Sequence, residues 1–161
     1  MRRLIFAAMI VGAAITTWVA QAASTSGQFN VNVTLTASCS LSSISALDFS
    51  YTSFQAGAAT ATGGGFTVTC TNSLPYLFGL QAGNGAAVPP GSATITVTDN
   101  VVNLQYTLGT SAAGGTGNGA AQSYSVTGTM AAGQSGTCAS SATPCTNTTA
   151  TNKTQTLILN Y

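Results

Sequence analysis

Residues 27–39 read GQFNVNVTLTASC. From Phe29 to Ala37 the odd positions are apolar (Phe29, Val31, Val33, Leu35, Ala37) and the even ones polar (Asn30, Asn32, Thr34, Thr36). Successive side chains of a strand point to opposite faces, so this alternation describes a β-strand with one face buried. The open question is whose core that face enters, because the stretch lies where most domains are frayed.

Just upstream, Arg2 and Arg3 precede an apolar run from Leu4 to Val19 and the small-x-small site Ala20-Gln21-Ala22. That order reads as a secretory signal peptide over residues 1–22. The apolar run is short for a membrane span, which needs about 20 residues, and Thr16 and Thr17 interrupt it. Removing residues 1–22 leaves 139 of the 161 residues, the size of one domain, with no membrane span expected after signal removal. The processed chain keeps Asp48, Asp99 and Lys153 as its charged side chains and has no His. No basic patch exists for phosphate, which excludes nucleic acid as a partner. The polar surface must instead be Ser, Thr, Asn, Gln and Gly, a surface suited to association.

Cys39, Cys70, Cys138 and Cys145 form an even set behind a signal peptide, the pattern of disulfides in an oxidising compartment. No CxxC spacing and no His support a metal site. Of three pairings, Cys39–Cys70 with Cys138–Cys145 is favoured, the first stapling two strands and the second closing a short loop around Pro144. Loop entropy assigns them about 3.7 and 2.5 kcal/mol as upper-end values.

Beyond the leader, runs rich in Val, Thr, Ile, Tyr and Phe alternate with Gly/Ser/Ala/Pro loops, the pattern of an antiparallel sandwich. Strands are expected near 28–38, 45–51, 65–71, 76–82, 93–98, 101–108, 122–130 and 154–161. Asp99-Asn100 reads as a two-residue hairpin turn, and Pro89-Pro90-Gly91 as a turn before strand 93–98. Segments 55–64, 109–121 and 131–153 read as long, flexible loops. Gly115, Gly117 and Gly119 lack the helix and Lys of a phosphate loop and read as a solvated hairpin loop. Asn32, Asn147 and Asn152 match the N-glycosylation pattern, but such matches arise by chance in a chain rich in Asn and Thr.

Catalysis needs a group that exchanges a proton or attacks an electrophile near neutral pH. With no His, one Lys, two Asp and paired cysteines, that stock is nearly empty, so the chain is not expected to be an enzyme and no cofactor is expected. Asp99 has a structural role in its turn; Asp48 is a solvated or capping carboxylate. Tyr51, Tyr76, Tyr106 and Tyr124 could stack on sugars, but isolated strand tyrosines are more often core or rim residues.

The last strand, KTQTLILNY, puts Leu157, Leu159 and Tyr161 on one side, and the sequence stops at Tyr161. An amphipathic strand at one end and an uncovered core at the other suggest exchange between molecules. In that scheme each copy offers residues 28–38 to a neighbour by β-strand addition. The self-contained alternative makes 28–38 an ordinary first strand of its own domain.

The order SGQFNVNVTLTASCSLS, LDFSY, FTVTCTNSLPYLFGLQAG, NLQYTL, SYSVTGTM and TLILNY resembles the spore coat protein U-type domain family, which includes subunits of archaic chaperone–usher pili. The resemblance implies an incomplete immunoglobulin-like β-sandwich that lacks its last strand and carries an N-terminal donor strand. Residues 1–22 would then be the signal peptide, 23–38 the donor strand and 39–161 the sandwich domain. Phe29, Val31, Val33, Leu35 and Ala37 correspond to donor residues, and Leu157, Leu159 and Tyr161 to the edge of the acceptor groove. Implied partners are copies of the chain or related pilin subunits, a periplasmic chaperone and an outer-membrane usher. The implied destination is the cell surface, reached through the periplasm. The chain departs from the family pattern in having no arginine-containing segment before NLQYTL, no Trp-Gly pair after it, and in its Cys138–Cys145 loop. The competing function class is a secreted β-sandwich module that binds polysaccharide or adheres to a surface.

Overall fold

A computed structural model describes residues 23–83 and 94–161. The signal-peptide reading and the Pro89-Pro90-Gly91 turn fall outside the described residues. The chain divides into two units, Met1–Thr34 and Leu35–Tyr161. In the first, residues 23–34 form no strand or helix and are exposed. The second is all-β, built from antiparallel strands, with no helix among the described residues.

Its strands are β1 (Cys39–Leu41), β2 (Leu47–Asp48), β3 (Ala59–Thr60), β4 (Thr62–Gly63), β5 (Gly65–Cys70) and β6 (Pro75–Gln81), followed by β7 (Thr94–Thr98), β8 (Gln105–Thr110), β9 (Gly114–Thr116), β10 (Gln122–Met130) and β11 (Thr156–Asn160). A six-stranded sheet runs β1-β5-β10-β8-β7, with β3 joined to β10; a three-stranded sheet runs β11-β6-β9; β2 and β4 form a small pair. The alternation that makes these strands also makes the core. Phe66, Val68 and Cys70 of β5, Tyr106 and Leu108 of β8, and Val126 and Met130 of β10 are buried from the larger sheet. Tyr76, Phe78 and Leu80 of β6 are buried from the smaller one. The sheets meet through Phe66 and Phe78, whose rings stand edge to face with centroids 5.4 Å apart. Tyr124 also lies edge-on to Phe78, at 4.9 Å.

Several sequence expectations change. Residues 28–38 form no strand, and the first strand is Cys39–Leu41. Of 45–51 only Leu47–Asp48 is strand. The turn at Asp99-Asn100 is longer than two residues, because Thr98 is the register partner of Gln105. Residues 101–104 therefore belong to the turn and not to β8. The cause is Asp99, whose carboxylate Oδ1 accepts the N–H groups of Val101 (2.8 Å) and Val102 (2.9 Å) and curls the chain into an Asx-type turn.

Segments 55–64 and 109–121 are not free loops. The first carries β3 and β4; the second carries β9, which leaves the larger sheet to pair with β6 at Pro75–Leu77. That crossing needs glycine. A Cβ on Gly114 would sit 2.2 Å from the Tyr76 carbonyl oxygen, and one on Gly115 would sit 2.6 Å from the Tyr124 hydroxyl. No side chain fits there. The 109–121 segment is thus a strand crossing held against the core, which corrects the solvated-loop expectation.

Candidate functional site

Both disulfides form as Cys39–Cys70 and Cys138–Cys145. Cys39 and Cys70 are also register partners of β1 and β5. Just before them, Ser38 is tied to Thr71 by two bonds: Thr71 N–H donates to Ser38 O at 3.0 Å, and Ser38 N–H donates to the Thr71 side-chain Oγ1 at 3.0 Å. The folded body is therefore pinned from Ser38 onward. Two disulfides mark an oxidising, exported environment.

Ahead of Ser38, the odd-numbered apolar row is presented to solvent. Phe29 is 84 % exposed, Val31 72 %, Val33 83 % and Leu35 79 %; Ala37 is exposed as well. Single exposed apolar residues are ordinary; a regular row of large ones is not.

Within the sandwich, the sheets part to leave a groove of about 1080 Å³. One flank is the segment 44–53, the other is 153–157, which leads into β11. The floor is apolar: Leu80 from the smaller sheet, Tyr106, Leu108, Val126 and Met130 from the larger one, and Leu104 from the turn before β8. Phe49 leans over this floor, its ring 5.6 Å from that of Tyr106. Beside the groove, β11 lies at the end of its sheet, paired to β6 on one side. Its inward residues follow the register, Leu157 opposite Leu80 and Leu159 opposite Phe78. Leu157 lines the groove; Leu159 is half-buried and packs on the core. Tyr161 is 62 % exposed and lines a separate shallow depression beside Tyr76 and Gly115.

At the polar end of the groove Asp99 is buried, only 1 % exposed. Its second oxygen, Oδ2, accepts Asn147 Nδ2–H at 2.9 Å. Burial alone would raise its pKa, but the donors from Val102, Asn147 and Val101 outweigh that and hold the carboxyl below its ordinary value. Asp99 is thus fully occupied as a structural acceptor. Asn147 and Asn152, two of the glycosylation matches, spend their amides in the same region, Asn152 Nδ2 donating to Thr98 O at 2.8 Å.

The four tyrosines weighed as sugar platforms are tied inward. Tyr76 and Tyr106 are buried, and their hydroxyls meet Tyr124 (2.7 Å) and the Gln155 amide (3.1 Å) respectively. Burial, followed by the Tyr124 contact, pushes the Tyr76 phenol up to about 12; burial, followed by the Asp99 charge, raises that of Tyr106. The Tyr51 hydroxyl donates to Ala131 O at 2.8 Å. Among the described residues no group of three His, Cys, Asp or Glu side chains could hold a metal, and no helix is long and apolar enough to cross a membrane. Asp48 is exposed.

The groove itself was not legible in the sequence, since residues 44–53 and 153–157 come to line one groove only in the fold. What could have hinted at it is the Cys138–Cys145 pair followed by polar Asn147, Asn152 and Gln155, whose side chains knit the groove end together. The family model of the Spore Coat Protein U domain matches residues 25–158, covering both the exposed row and the sandwich. No curated protein and no solved structure matches the chain. By that match over most of its length, with the paired cysteines and antiparallel sandwich in place, the chain belongs to the Spore Coat Protein U domain family.

Proposed function

We propose that the chain is a structural, non-enzymatic subunit of an exported fibre that polymerises by donor-strand exchange. Residues 28–37 of one copy lie as a strand in the groove of the next. The observation that carries this reading is the pairing of two incomplete features: an exposed apolar row at Phe29, Val31, Val33 and Leu35, and a groove with an apolar floor beside the edge strand β11. The sandwich in this reading is immunoglobulin-like and lacks the strand that the neighbour supplies. The self-contained module asks residues 28–38 to be a strand of their own sheet, and they form none.

Strand addition suits this chemistry. Main-chain bonds to β11 give affinity, and the alternating side chains enter the floor. A strand of about nine residues spans roughly 30 Å. Burying Phe, Val, Val and Leu at about 1.5–3 kcal/mol each gives a gross gain near 10 kcal/mol before ordering costs. Such head-to-tail contacts grow into open filaments when they do not close into a ring. Until a neighbour arrives the groove needs protection, which a periplasmic chaperone gives, and an outer-membrane usher provides the exit.

The test is deletion of residues 23–37 in a protein exported to an oxidising compartment. The intact chain is expected to form polymers. The deleted one should stay a folded acceptor that binds a 28–37 peptide. A stable monomer from the intact chain that takes up no peptide overturns the reading.

A further inference from the structure

An alternating donor specifies its face but not its place. A slip of one residue turns the apolar side outward, whereas a slip of two keeps it inward. The row Phe29, Val31, Val33, Leu35, Ala37 is thus compatible with several positions along an apolar floor, and something in the acceptor must choose. Resting on the assembly reading above, we propose that the segment 131–155, closed by the Cys138–Cys145 disulfide, is the end-stop of the groove and sets the register of the incoming strand.

The segment crosses one end of the groove from flank to flank. On the first flank it is laced to residues 51–55. Phe54 N–H donates to Gln134 O at 2.8 Å, Gly133 N–H to Gln55 O at 2.9 Å, and Ser53 Oγ–H to Ser135 O at 2.6 Å. In the middle it is fixed to the turn before β8, Thr137 N–H donating to Val102 O at 2.6 Å and Asn147 Nδ2–H to Asp99 Oδ2 at 2.9 Å. At the far side it runs directly into β11, and Gln155 Nε2–H donates to the Tyr106 hydroxyl at 3.1 Å above the floor.

The wall at this end includes Thr137, Cys138, Pro144 and Cys145 themselves. A stretch this long without strands is uncommon in a compact domain unless it does something. The disulfide removes the conformational freedom that would let the 138–145 loop yield to, or fall into, the space beside it. Its anchors lie on both flanks, so it also fixes how far apart they stand. A strand entering the groove meets a covalently closed wall at a defined place. The Cys39–Cys70 bond, in contrast, joins two paired strands, and neither cysteine lines the groove.

The experiment uses the full chain, exported and assembled, with Phe29 replaced by the photo-crosslinking residue p-benzoylphenylalanine. After irradiation, mass spectrometry of the dimer band locates the acceptor residue. The unaltered groove is expected to give one acceptor position. Cys138→Ser/Cys145→Ser is expected to add cross-links displaced by two residues toward the freed end, in a sandwich that melts at a lower temperature but still unfolds cooperatively with Cys39–Cys70 intact. Thr137→Pro, which removes the N–H held by Val102 and keeps the disulfide, should give the same spread and serves if the double variant folds poorly. A single unchanged position in either folded variant overturns the end-stop while leaving strand exchange standing. Absence of any arm-to-groove cross-link in the unaltered chain overturns the assembly reading and the end-stop with it.

Discussion

Val33→Asp separates folding from assembly by its size on each. Val33 is 83 % exposed in the subunit, so the substitution removes little burial there. Surface changes of this kind stay within about 0.5 kcal/mol of neutral. In a neighbour's groove the same position loses about 1.5–3 kcal/mol of valine burial. A carboxylate over the apolar floor has no cation beneath it; the lysine that lines the groove, Lys153, stands on its flank with its ammonium donating to Thr148 O at 2.6 Å. Burying it unpaired costs several kcal/mol more, or forces it to take up a proton. A junction weaker by at least about 4 kcal/mol is weaker by roughly a thousandfold, at 1.4 kcal/mol per factor of ten. Sedimentation velocity of exported protein reads the assembly, and thermal unfolding followed by near-ultraviolet dichroism reads the fold. The expected result is a monomer with the melting temperature of the unaltered, depolymerised subunit. Polymers of normal length from Val33→Asp, or a monomer it unfolds, refute the reasoning.

Four further outcomes follow from named contacts. Gly114→Ala places a methyl group 2.2 Å from the Tyr76 carbonyl oxygen, and neither backbone can retreat; a loss of about 1–3 kcal/mol in denaturant unfolding is expected, and an unchanged midpoint contradicts the close approach. The Asp99 carboxyl is held below its ordinary value of 3.8, so its contribution is complete above that value and fades as pH falls through the lower, folded one. Acid unfolding of Asp99→Asn should lack that limb, and an identical acid profile counts against the turn. The Tyr76 phenol sits at about 12 against 10.0 in the open chain, so its share of stability is whole below pH 10 and is lost as pH climbs toward 12. Tyr76→Phe should flatten that alkaline loss, measured by melts across the range. Removing Cys39–Cys70 by Cys→Ser at both positions should cost about 2–4 kcal/mol by unfolding in urea, and a cost near zero would count against the β1–β5 staple.

Where sequence and structure agree, local pattern and tertiary packing ask for the same thing. In β5 the run GFTVTC buries Phe66, Val68 and Cys70, and in β7 the run TITVT buries Ile95 and Val97, both as their alternation predicts. The spacing of the cysteines pointed to the pairs that form. Where they part, a long-range contact decides. Gly114-Gly115 has little strand propensity, yet it is strand because it pairs with β6 at an approach too close for a Cβ. Val101 and Val102 look like strand, yet the Asp99 carboxylate takes both of their N–H groups. The exposed row was readable from its period alone. The groove was not, since its flanks are distant in sequence and its end is built from side-chain amides of Asn and Gln.

The central claim is that residues 28–37 leave solvent by entering another copy. Amide hydrogen exchange, compared between the depolymerised subunit and the assembled state, tests it directly. Polymers mixed from isotopically labelled and unlabelled chains would show which copy each protected amide pairs with. The account predicts fast exchange at residues 30–37 in the free subunit, and in the polymer protection comparable to β5 and β10, with arm-to-β11 contacts running between differently labelled copies. Arm amides that exchange as fast in the polymer as in the subunit, or contacts only within one copy, contradict it.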